Sequence, residues 1–233
     1  MNEKNYFIFN DINSKDLGLH IEELPIVPTS EEGIDVIEVE GRDGFLLKHN
    51  NHLKYRTYDV DLILKDIKKI DLIKQHLRGS GKLILSNNLT RYYNVTIINK
   101  IDFERIFKNY NSCLISFIVQ PFEYEIENTT INVVAPTIFK NNTNATCKPI
   151  LKIYGTSSGT VRIGNDVIQI KNIKNYVELD YDLQECYRYD DLILKNCNGD
   201  VLANFKEIPI GDTEISFTGG ITRIEINPRF RWL

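Results

Sequence analysis

Apolar and polar residues alternate over much of the chain, in short runs separated by Gly, Asn, Asp and Pro. This two-residue period is typical of β-strands with one buried face. In the middle third of the chain, residues 76–124, three such runs follow one another, at residues 82–86, 92–103 and 112–119. Because proline cannot donate a hydrogen bond to a strand ladder, Gln120-Pro121-Phe122 is predicted to end the third strand.

One segment, residues 66–77, has a helical period instead. Its apolar side chains fall on one helical face, which predicts an amphipathic helix lying on a sheet. The predicted buried face consists of Ile67, Ile70, Ile73 and Leu77, and the predicted solvent face of Lys68, Lys69 and Lys74. Asp66 is the predicted N-cap and Gly79 the predicted residue after the C-cap.

The first sixty-four residues are also read as strands and turns. Alternation predicts strands at residues 6–9, 20–24, 36–39 and 58–64. The turn between the third strand and the residues that follow is Gly41-Arg42-Asp43-Gly44, whose two glycines can supply positive φ. Two prolines and several acidic residues at 25–33 indicate an exposed loop. The polar residues 48–54 are predicted to form another loop between strands.

A change of composition at residues 123–136, which are acidic and rich in Thr and Asn, predicts a domain boundary. We therefore expect one domain at residues 1–130 and a second at 137–233. The second domain shows only short strand patterns with turn residues between them, which is typical of a β-sandwich. The predicted strands are residues 148–154, 159–163, 166–170, 175–180, 192–195, 213–218 and 222–227.

Composition limits the possible classes of protein. The 233 residues are 42 % apolar and 26 % charged, which excludes a disordered chain, and the net charge of −4 gives no basic footprint for nucleic acid. The N-terminus has no secretory signal and no apolar run is long enough to span a bilayer, so we expect folding in a cytoplasm without membrane insertion. The four cysteines form no CxxC pair and are expected to be free structural thiols.

Motifs that could carry chemistry are weak. Gly79-Ser80-Gly81-Lys82 matches part of a phosphate loop, but a helix precedes it and a strand follows, so a plain helix-to-strand turn is favoured. His49 and His52 lie among polar residues without a further ligand, which favours an exposed loop over a metal site. The densest acidic groups, Asp180-Tyr181-Asp182 and Asp190-Asp191, are interpreted as turn residues and strand ends. No catalytic residue, cofactor-binding residue or metal ligand is predicted.

Aromatic residues are concentrated in the middle third of the chain. Tyr92 and Tyr93 are adjacent in a predicted strand, so one of them faces outward. An outward tyrosine indicates a partner surface, or alternatively a stacking platform for sugars or bases. The other aromatics of this region, most of them expected in the core, are Phe103, Phe107, Tyr110, Phe117, Phe122 and Tyr124.

Several motifs taken together resemble the distal tail protein (Dit) family of siphophages with Gram-positive hosts, which also occurs in prophages and tail-like bacteriocins. The resemblance covers nearly all of the chain. The motifs that carry it are Gly41-Arg42-Asp43-Gly44, the helix exit Leu77-Arg78-Gly79 followed by Gly81-Lys82-Leu83, Phe103-Glu104-Arg105, the sequence from Phe117 through Gln120-Pro121-Phe122 to Tyr124, and the C-terminal residues 220–232.

The resemblance implies a mainly β protein with an N-terminal β-sandwich that carries one α-helix and a hairpin arm. It implies a second sandwich of galectin-like or carbohydrate-module type. In such proteins six copies close into a ring at the end of the tail. This hub joins the tail tube protein to the tail-tip fibre or lysin protein and often holds receptor-binding baseplate proteins. By this resemblance the chain is a structural virion component, not an enzyme, without a cofactor and without direct contact with nucleic acid.

Within that family resemblance, we expect the turn at residues 41–44 and the loop at 48–54 to form an arm that overlaps a neighbouring copy. The expected ring or partner contacts are Arg42, Asp43, Tyr92 and Tyr93. A cell-wall carbohydrate-binding module acting through the second domain is the alternative function, although Trp232 is the only tryptophan. A glycoside hydrolase ranks third, because no acid/base pair stands out.

Overall fold

The computed structural model describes residues 4–64, 66–99, 104–107, 110–127 and 129–233. The chain divides into two compact units, one formed by Met1–Glu123 with Leu233 and the other by Tyr124–Trp232. Both units consist mainly of antiparallel strands, so the predicted mainly β fold class is confirmed.

The first unit contains an antiparallel sheet with the strand order β2-β1-β7-β8-β10-β6-β3, to which β9 adds at β10. A separate hairpin pairs β4 with β5. The strands are β1 (Phe7–Phe9), β2 (Ile12–Asn13), β3 (Leu19–His20), β4 (Glu32–Glu38), β5 (Phe45–Leu53), β6 (Arg56–Leu64), β7 (Ser80–Leu85), β8 (Asn88–Ile97), β9 (Glu104–Phe107) and β10 (Tyr110–Glu125). The end of the predicted strand at Phe103 lies outside the described residues.

The core of the first unit is organised by the antiparallel pair β6–β10. Over the paired segments, Arg56–Leu64 and Asn111–Val119, every second residue is buried, and the register places Leu62 opposite Cys113 and Val60 opposite Ile115. Next in the same row, Tyr58 lies opposite Phe117, which is fully buried and also contacts Phe7 edge to face, with ring centroids 5.8 Å apart. The alternation read from the sequence therefore builds one continuous apolar layer.

The predicted helix is present but shorter than expected. A 3₁₀ turn (Ile67–Lys69) leads into helix α1 (Ile70–His76). The Asp66 side chain caps the 3₁₀ turn by accepting a hydrogen bond from the Lys68 amide. Ile73 and Leu77 are buried as predicted, whereas Ile67 is 61 % exposed, because the tighter 3₁₀ turn rotates it off the apolar face. The helix ends at His76 with Leu77 as its C-cap, so Gly79, with φ of +74°, is the second residue after the C-cap and not the first as predicted.

The prediction that Pro121 ends its strand was wrong. Strand β10 continues through Pro121 to Glu125. Its pairing with β6 ends at Val119 opposite Arg56, so Pro121 lies beyond that ladder. A missing N–H therefore removes no hydrogen bond to β6, which is the position in which strands tolerate proline.

The second unit contains an antiparallel sheet in the order β11-β19-β13-β15-β16-β17, with β12 on β19, β14 on β13 and β18 on β14. Two predicted pairs of strands are each one long strand here, β13 and β19. The strands are β11 (Ile131–Val133), β12 (Thr137–Asn141), β13 (Ile150–Ile163), β14 (Asp166–Ile170), β15 (Asn175–Asp180), β16 (Glu185–Asp190), β17 (Ile193–Asn196), β18 (Val201–Leu202), β19 (Gly211–Asn227) and β20 (Arg231–Trp232); a 3₁₀ turn covers Asn198–Asp200.

Glycines allow β13 and β19 to stay paired across a local irregularity. Gly155 lies opposite Ile221 and Gly159 opposite Gly219, so residues 156–158 lie opposite a single residue of β19. A Cβ atom on Gly155 would lie 2.6 Å from the carbonyl oxygen of Gly220, which is closer than real contacts allow. Glycine is therefore required where the two backbones approach each other.

A buried ion pair fixes the end of β15. Both guanidinium nitrogens Nη1 and Nη2 of Arg229 donate to the carboxylate of Asp180, at 2.8 and 2.7 Å. Burial alone would raise the pKa of Asp180, but the Arg229 hydrogen bonds and the backbone amides of Leu183 and Asp182 outweigh it and lower the pKa. Asp180 thus has a structural role at a strand end, in agreement with the interpretation of the acidic groups.

The four cysteines Cys113, Cys147, Cys186 and Cys197 are all buried and free, as expected. Burial raises the pKa of the first three thiols to about 12. In the part of the chain that the structure describes, no helix is both long and apolar enough to cross a bilayer.

We expect Phe117→Ala to lower the free energy of unfolding by about 3–5 kcal/mol, because it removes the ring at the centre of the first core. Leu114→Ala, in the same strand but 44 % exposed, is the matched control and should change stability by less than about 1 kcal/mol. Urea denaturation followed by circular dichroism measures both. Equal effects of the two substitutions would contradict the assigned core.

We expect Asp180→Asn to lower the free energy of unfolding by about 3 kcal/mol at pH 7, because Arg229 loses its charged partner. Since the folded state lowers the pKa of Asp180, its contribution is present above the ordinary carboxyl pKa of about 3.9 and disappears as the pH falls through the lowered value. The difference between native and variant proteins should therefore vanish in strong acid. Asp191→Asn, at an exposed turn, serves as control; denaturation at pH 7 and pH 2 gives the comparison.

Candidate assembly surfaces

The hairpin β4–β5 extends from the first unit without a buried face. Every residue from 35 to 49 is exposed, and we call this segment the arm. Its register pairs Asp35 with Lys48, Val36 with Leu47 and Ile37 with Leu46. An isolated two-stranded hairpin is only marginally stable in water, so the arm gains stability if another surface covers it.

Both faces of the arm carry apolar side chains. Because side chains alternate along each strand, Val36, Phe45 and Leu47 share one face, and Ile37 and Leu46 share the other. Their exposed fractions range from 40 % for Leu46 to 61 % for Val36. Contiguous exposed apolar side chains of this kind mark sites of protein–protein interaction.

The base of the arm is fixed by local contacts. Gly33 packs against the ring of His52 so closely that a Cβ atom would lie 2.5 Å from it. His49 Nδ1 lies 3.1 Å from a carboxylate oxygen of Glu32 on the paired strand. The prediction of a loop at residues 48–54 was thus wrong for most of that segment, because His49 and His52 belong to strand β5.

The turn predicted at residues 41–44 forms the tip of the arm. Gly41 and Gly44 have φ values of +78° and +85°, and the Arg42 amide donates to the Val39 carbonyl at 3.1 Å. The side chains of Arg42 and Asp43 are exposed at this tip. Two opposite charges in such a position can pair with a partner surface at the end of the arm.

Tyr92 and Tyr93 lie in strand β8 of the sheet, away from the arm in the sequence. Tyr93 packs on the first core, and its hydroxyl donates to Glu123 Oε1 at 2.5 Å. Burial and that hydrogen bond to Glu123 raise the pKa of Tyr93. Tyr92, on the opposite face, has the Lys82 ammonium 4.4 Å from its ring centroid. Tyr93 is therefore held within its own unit, and Tyr92 is the outward member of the pair.

The structure brings Arg42 and Asp43 together at one turn but leaves the two tyrosines in a separate element. Sequence reasoning missed the apolar residues of the arm that follow this turn, Phe45 to Leu47. A signal was present, since three consecutive apolar residues after a Gly-rich turn cannot all face one core.

The phosphate-loop fragment is a helix-to-strand turn, as interpreted. Helix α1 ends at His76, its C-cap is Leu77, and β7 begins at Ser80. A Cβ atom on Gly81 would overlap the Asn10 side chain, whose Oδ1 accepts a hydrogen bond from the Lys82 amide at 3.0 Å. Among the described residues, no three His, Cys, Asp or Glu side chains are grouped so that they could hold a metal ion.

The second unit has a row of tyrosines on its outward sheet face. Tyr154 lies opposite Tyr176, with ring centroids 5.9 Å apart, and the Tyr176 hydroxyl donates to the Tyr189 carbonyl at 3.2 Å. Arg223 covers the Tyr154 ring at 3.9 Å and Lys152 the Tyr176 ring at 4.1 Å. A sugar could stack on these two rings only by displacing the cations.

The neighbouring edge strand β17 also exposes apolar side chains. Ile193 and Leu194 are 59 % and 56 % exposed, and Leu192, in the turn before them, is 95 % exposed. Edge strands with unpaired backbone groups and apolar side chains accept further protein chains. This edge is therefore a second candidate assembly surface.

No protein-family model and no curated protein matches the sequence. Among the solved structures that are similar over almost the whole chain are two of phage tail proteins. The crystal structure of the SPP1 Dit protein (gp 19.1), a hub of the adsorption apparatus in phages that infect Gram-positive bacteria, matches with a TM-score of 0.78 and 13 % identity, over 98 % of this chain and 99 % of that chain. A chain of the activated phage P2 baseplate with Ca matches with a TM-score of 0.50 and 11 % identity, over 95 % and 97 %.

At these identities the similarity concerns the fold. It covers 98 % of this chain, and it agrees with the resemblance stated from the motifs. The chain therefore has the fold of a phage distal tail protein of the SPP1 Dit type.

Proposed function

We propose that this chain is a structural protein of a phage tail, the hub of the distal tail or baseplate. Six copies form a ring that joins the tail tube protein to the tail-tip fibre or lysin protein and to receptor-binding baseplate proteins. The observation that carries the proposal is the match to the SPP1 Dit hub over 98 % of this chain. In this function residues 1–130 form the ring, and 137–233 form the galectin-like second domain.

The arm gives the ring a physical basis. Its two apolar faces are exposed in the single chain, and burying them against another copy releases their hydration water. A cyclic ring uses head-to-tail contacts, in which one patch of each copy meets a different patch of the next. The arm supplies one such patch, and the sheet of the neighbouring first unit supplies the other.

Arg42 and Asp43 are the proposed polar contacts at the end of this interface, where they fix the register of the arm on its neighbour. Tyr92 is proposed to lie on the surface that receives a neighbouring chain. Tyr93 supports that surface from behind through its hydrogen bond to Glu123. In this arrangement the apolar residues of the arm provide most of the affinity and the charged tip provides specificity.

The proposed function is structural, so no catalytic residue and no cofactor is assigned. The chain is placed in the virion, at the distal end of the tail, after assembly inside the host cell. Neither nucleic acid nor a bilayer is a proposed partner.

Cell-wall carbohydrate binding by the second unit is the alternative function. Tyr187 and Tyr189, which contact each other edge to face at 6.0 Å, favour it because aromatic rings stack on sugars. The cations on Tyr154 and Tyr176 argue against it, since they occupy ring faces that a sugar would need. The structural function is therefore the better supported of the two.

Light scattering of the purified chain should give a mass six times the 27.0 kDa of one copy, and negative-stain images should show closed rings. If the chain is monomeric alone, the rings should form on mixing with the tail tube protein that the proposed hub contacts. A chain that stays monomeric in both conditions would contradict the ring.

The double substitution Phe45→Ser/Leu47→Ser should abolish rings while leaving the fold intact. Both side chains are exposed in the single chain, so stability should change by less than about 1 kcal/mol. Each is worth about 2 kcal/mol or more when buried against a neighbour, so the dissociation constant should rise at least about 100-fold. Sedimentation at several concentrations measures it.

The matched control is Val134→Ser/Leu183→Ser, which removes two somewhat more exposed apolar side chains from the second unit. The control variant should still form rings. If the arm variant still forms rings with native affinity, the arm is not the interface.

A further inference from the structure

The second unit contains a cavity that the proposed function does not use. It has a volume of about 590 Å³ and lies between the turn after β13, the segment 206–209 and the first residues of β19. Each of these segments belongs to the second unit, so the cavity is complete within it.

Two of the residues that line the cavity, Asp166 and Thr213, each have a buried side-chain oxygen without a hydrogen-bond partner in the described residues. Asp166 is 9 % exposed and lies on the inward face of β14, on the same side as Ile168. Its Oδ1 accepts a hydrogen bond from Asn204 Nδ2 at 3.2 Å, but its Oδ2 has no partner in the described residues. Thr213, which is 5 % exposed, likewise leaves Oγ1 without a partner there. Buried polar atoms of this kind destabilise a fold unless something binds them.

The charge of the lining favours a cation. Its charged groups are four carboxylates and one lysine, Lys206. Glu207 is already neutralised, because Arg231 and Lys148 lie 2.9 and 3.7 Å from its carboxylate oxygens. Asp212 and Glu214 are exposed at the mouth, so with Asp166 they leave an excess of negative charge. An anionic ligand would be repelled.

The remaining lining decides the kind of cation. Ile163, Ile208 and Pro209 contribute apolar surface next to the carboxylates. A long side chain with an aliphatic stem and a charged end matches this combination, whereas a bare metal ion does not use the apolar wall. None of the lining residues is aromatic, so no stacking platform for a sugar is present.

We propose that this cavity is a socket for an arginine side chain of a partner protein. The guanidinium donates to Asp166 Oδ2 and to Thr213 Oγ1, and its aliphatic stem packs on Ile163 and Ile208. Arginine suits the site better than lysine because its several donors point in fixed directions and can satisfy two separate acceptors. The socket gives the second unit a specific contact that is independent of ring closure.

The test uses the full chain and N-acetyl-argininamide as probe, with binding measured by ligand-observed saturation-transfer NMR. This method works for a monomer and for a ring, so its result is independent of the proposed assembly. N-acetyl-argininamide should bind saturably, and N-acetyl-lysinamide should bind more weakly. N-acetyl-citrullinamide, which has nearly the same shape without the charge, should show no saturable binding.

Asp166→Asn should weaken binding of the arginine probe about ten-fold or more, since it removes a charge-assisted hydrogen bond. Thr213→Val keeps the shape of the side chain, should weaken binding by a smaller factor, and supplies the comparison if Asp166→Asn does not fold. Asp191→Asn, which removes one carboxylate from an exposed turn of the same unit, should leave binding unchanged.

Equal binding of the citrulline and arginine probes would overturn the proposal. Equally tight binding of guanidinium chloride alone would overturn the assignment to a side chain, because the apolar stem would then contribute nothing. Displacement of the arginine probe by Ca²⁺ at micromolar concentration would instead identify a metal site. If Asp191→Asn weakened binding as much as Asp166→Asn, the probe would be attracted by the overall negative charge of the unit, and the proposed socket would be wrong.

Discussion

Alternation of buried and exposed side chains along long antiparallel strands holds each unit together. In β6 and β10 it places Val60, Leu62, Cys113, Ile115 and Phe117 in one apolar layer. In β13 and β19 it does the same for the second unit, where Leu151 and Ile226 are opposite each other and fully buried. The arm departs from this rule, because its strands are paired but neither of its faces is buried. That departure makes it a candidate assembly surface rather than part of a core.

Much of the fold could be predicted because apolar and polar residues alternate along the segments that form strands. Strands β14 and β15 begin and end where the pattern does. The errors have physical causes. The segments 155–158 and 219–221 lie between predicted strands, although their glycines permit a close approach of two continuous strands. Strand β16 was missed because its sequence, Glu-Cys-Tyr-Arg-Tyr-Asp, shows no run of aliphatic residues that sets it apart from a turn.

The candidate surfaces were less predictable than the fold. The turn with Arg42 and Asp43 could be located, since glycines with positive φ mark it. The strand after this turn could not be located from the sequence. A strand exposed on both faces shows no alternation of apolar and polar residues, and His49 to His52 were interpreted as a loop. The proposed socket could not be predicted from the sequence. Asp166 and Thr213 are 47 positions apart in the numbering of the chain, and only the folded chain brings both to one cavity.

The burial of the four thiols affects how the protein responds to oxidising surroundings outside a cell. At neutral pH three of them are held firmly in the protonated form, since burial raises their pKa to about 12, and none of the four is exposed. Thiolates are the reactive form in disulfide exchange and oxidation. A change from reducing to oxidising surroundings therefore meets these three buried thiols in their protonated, unreactive form.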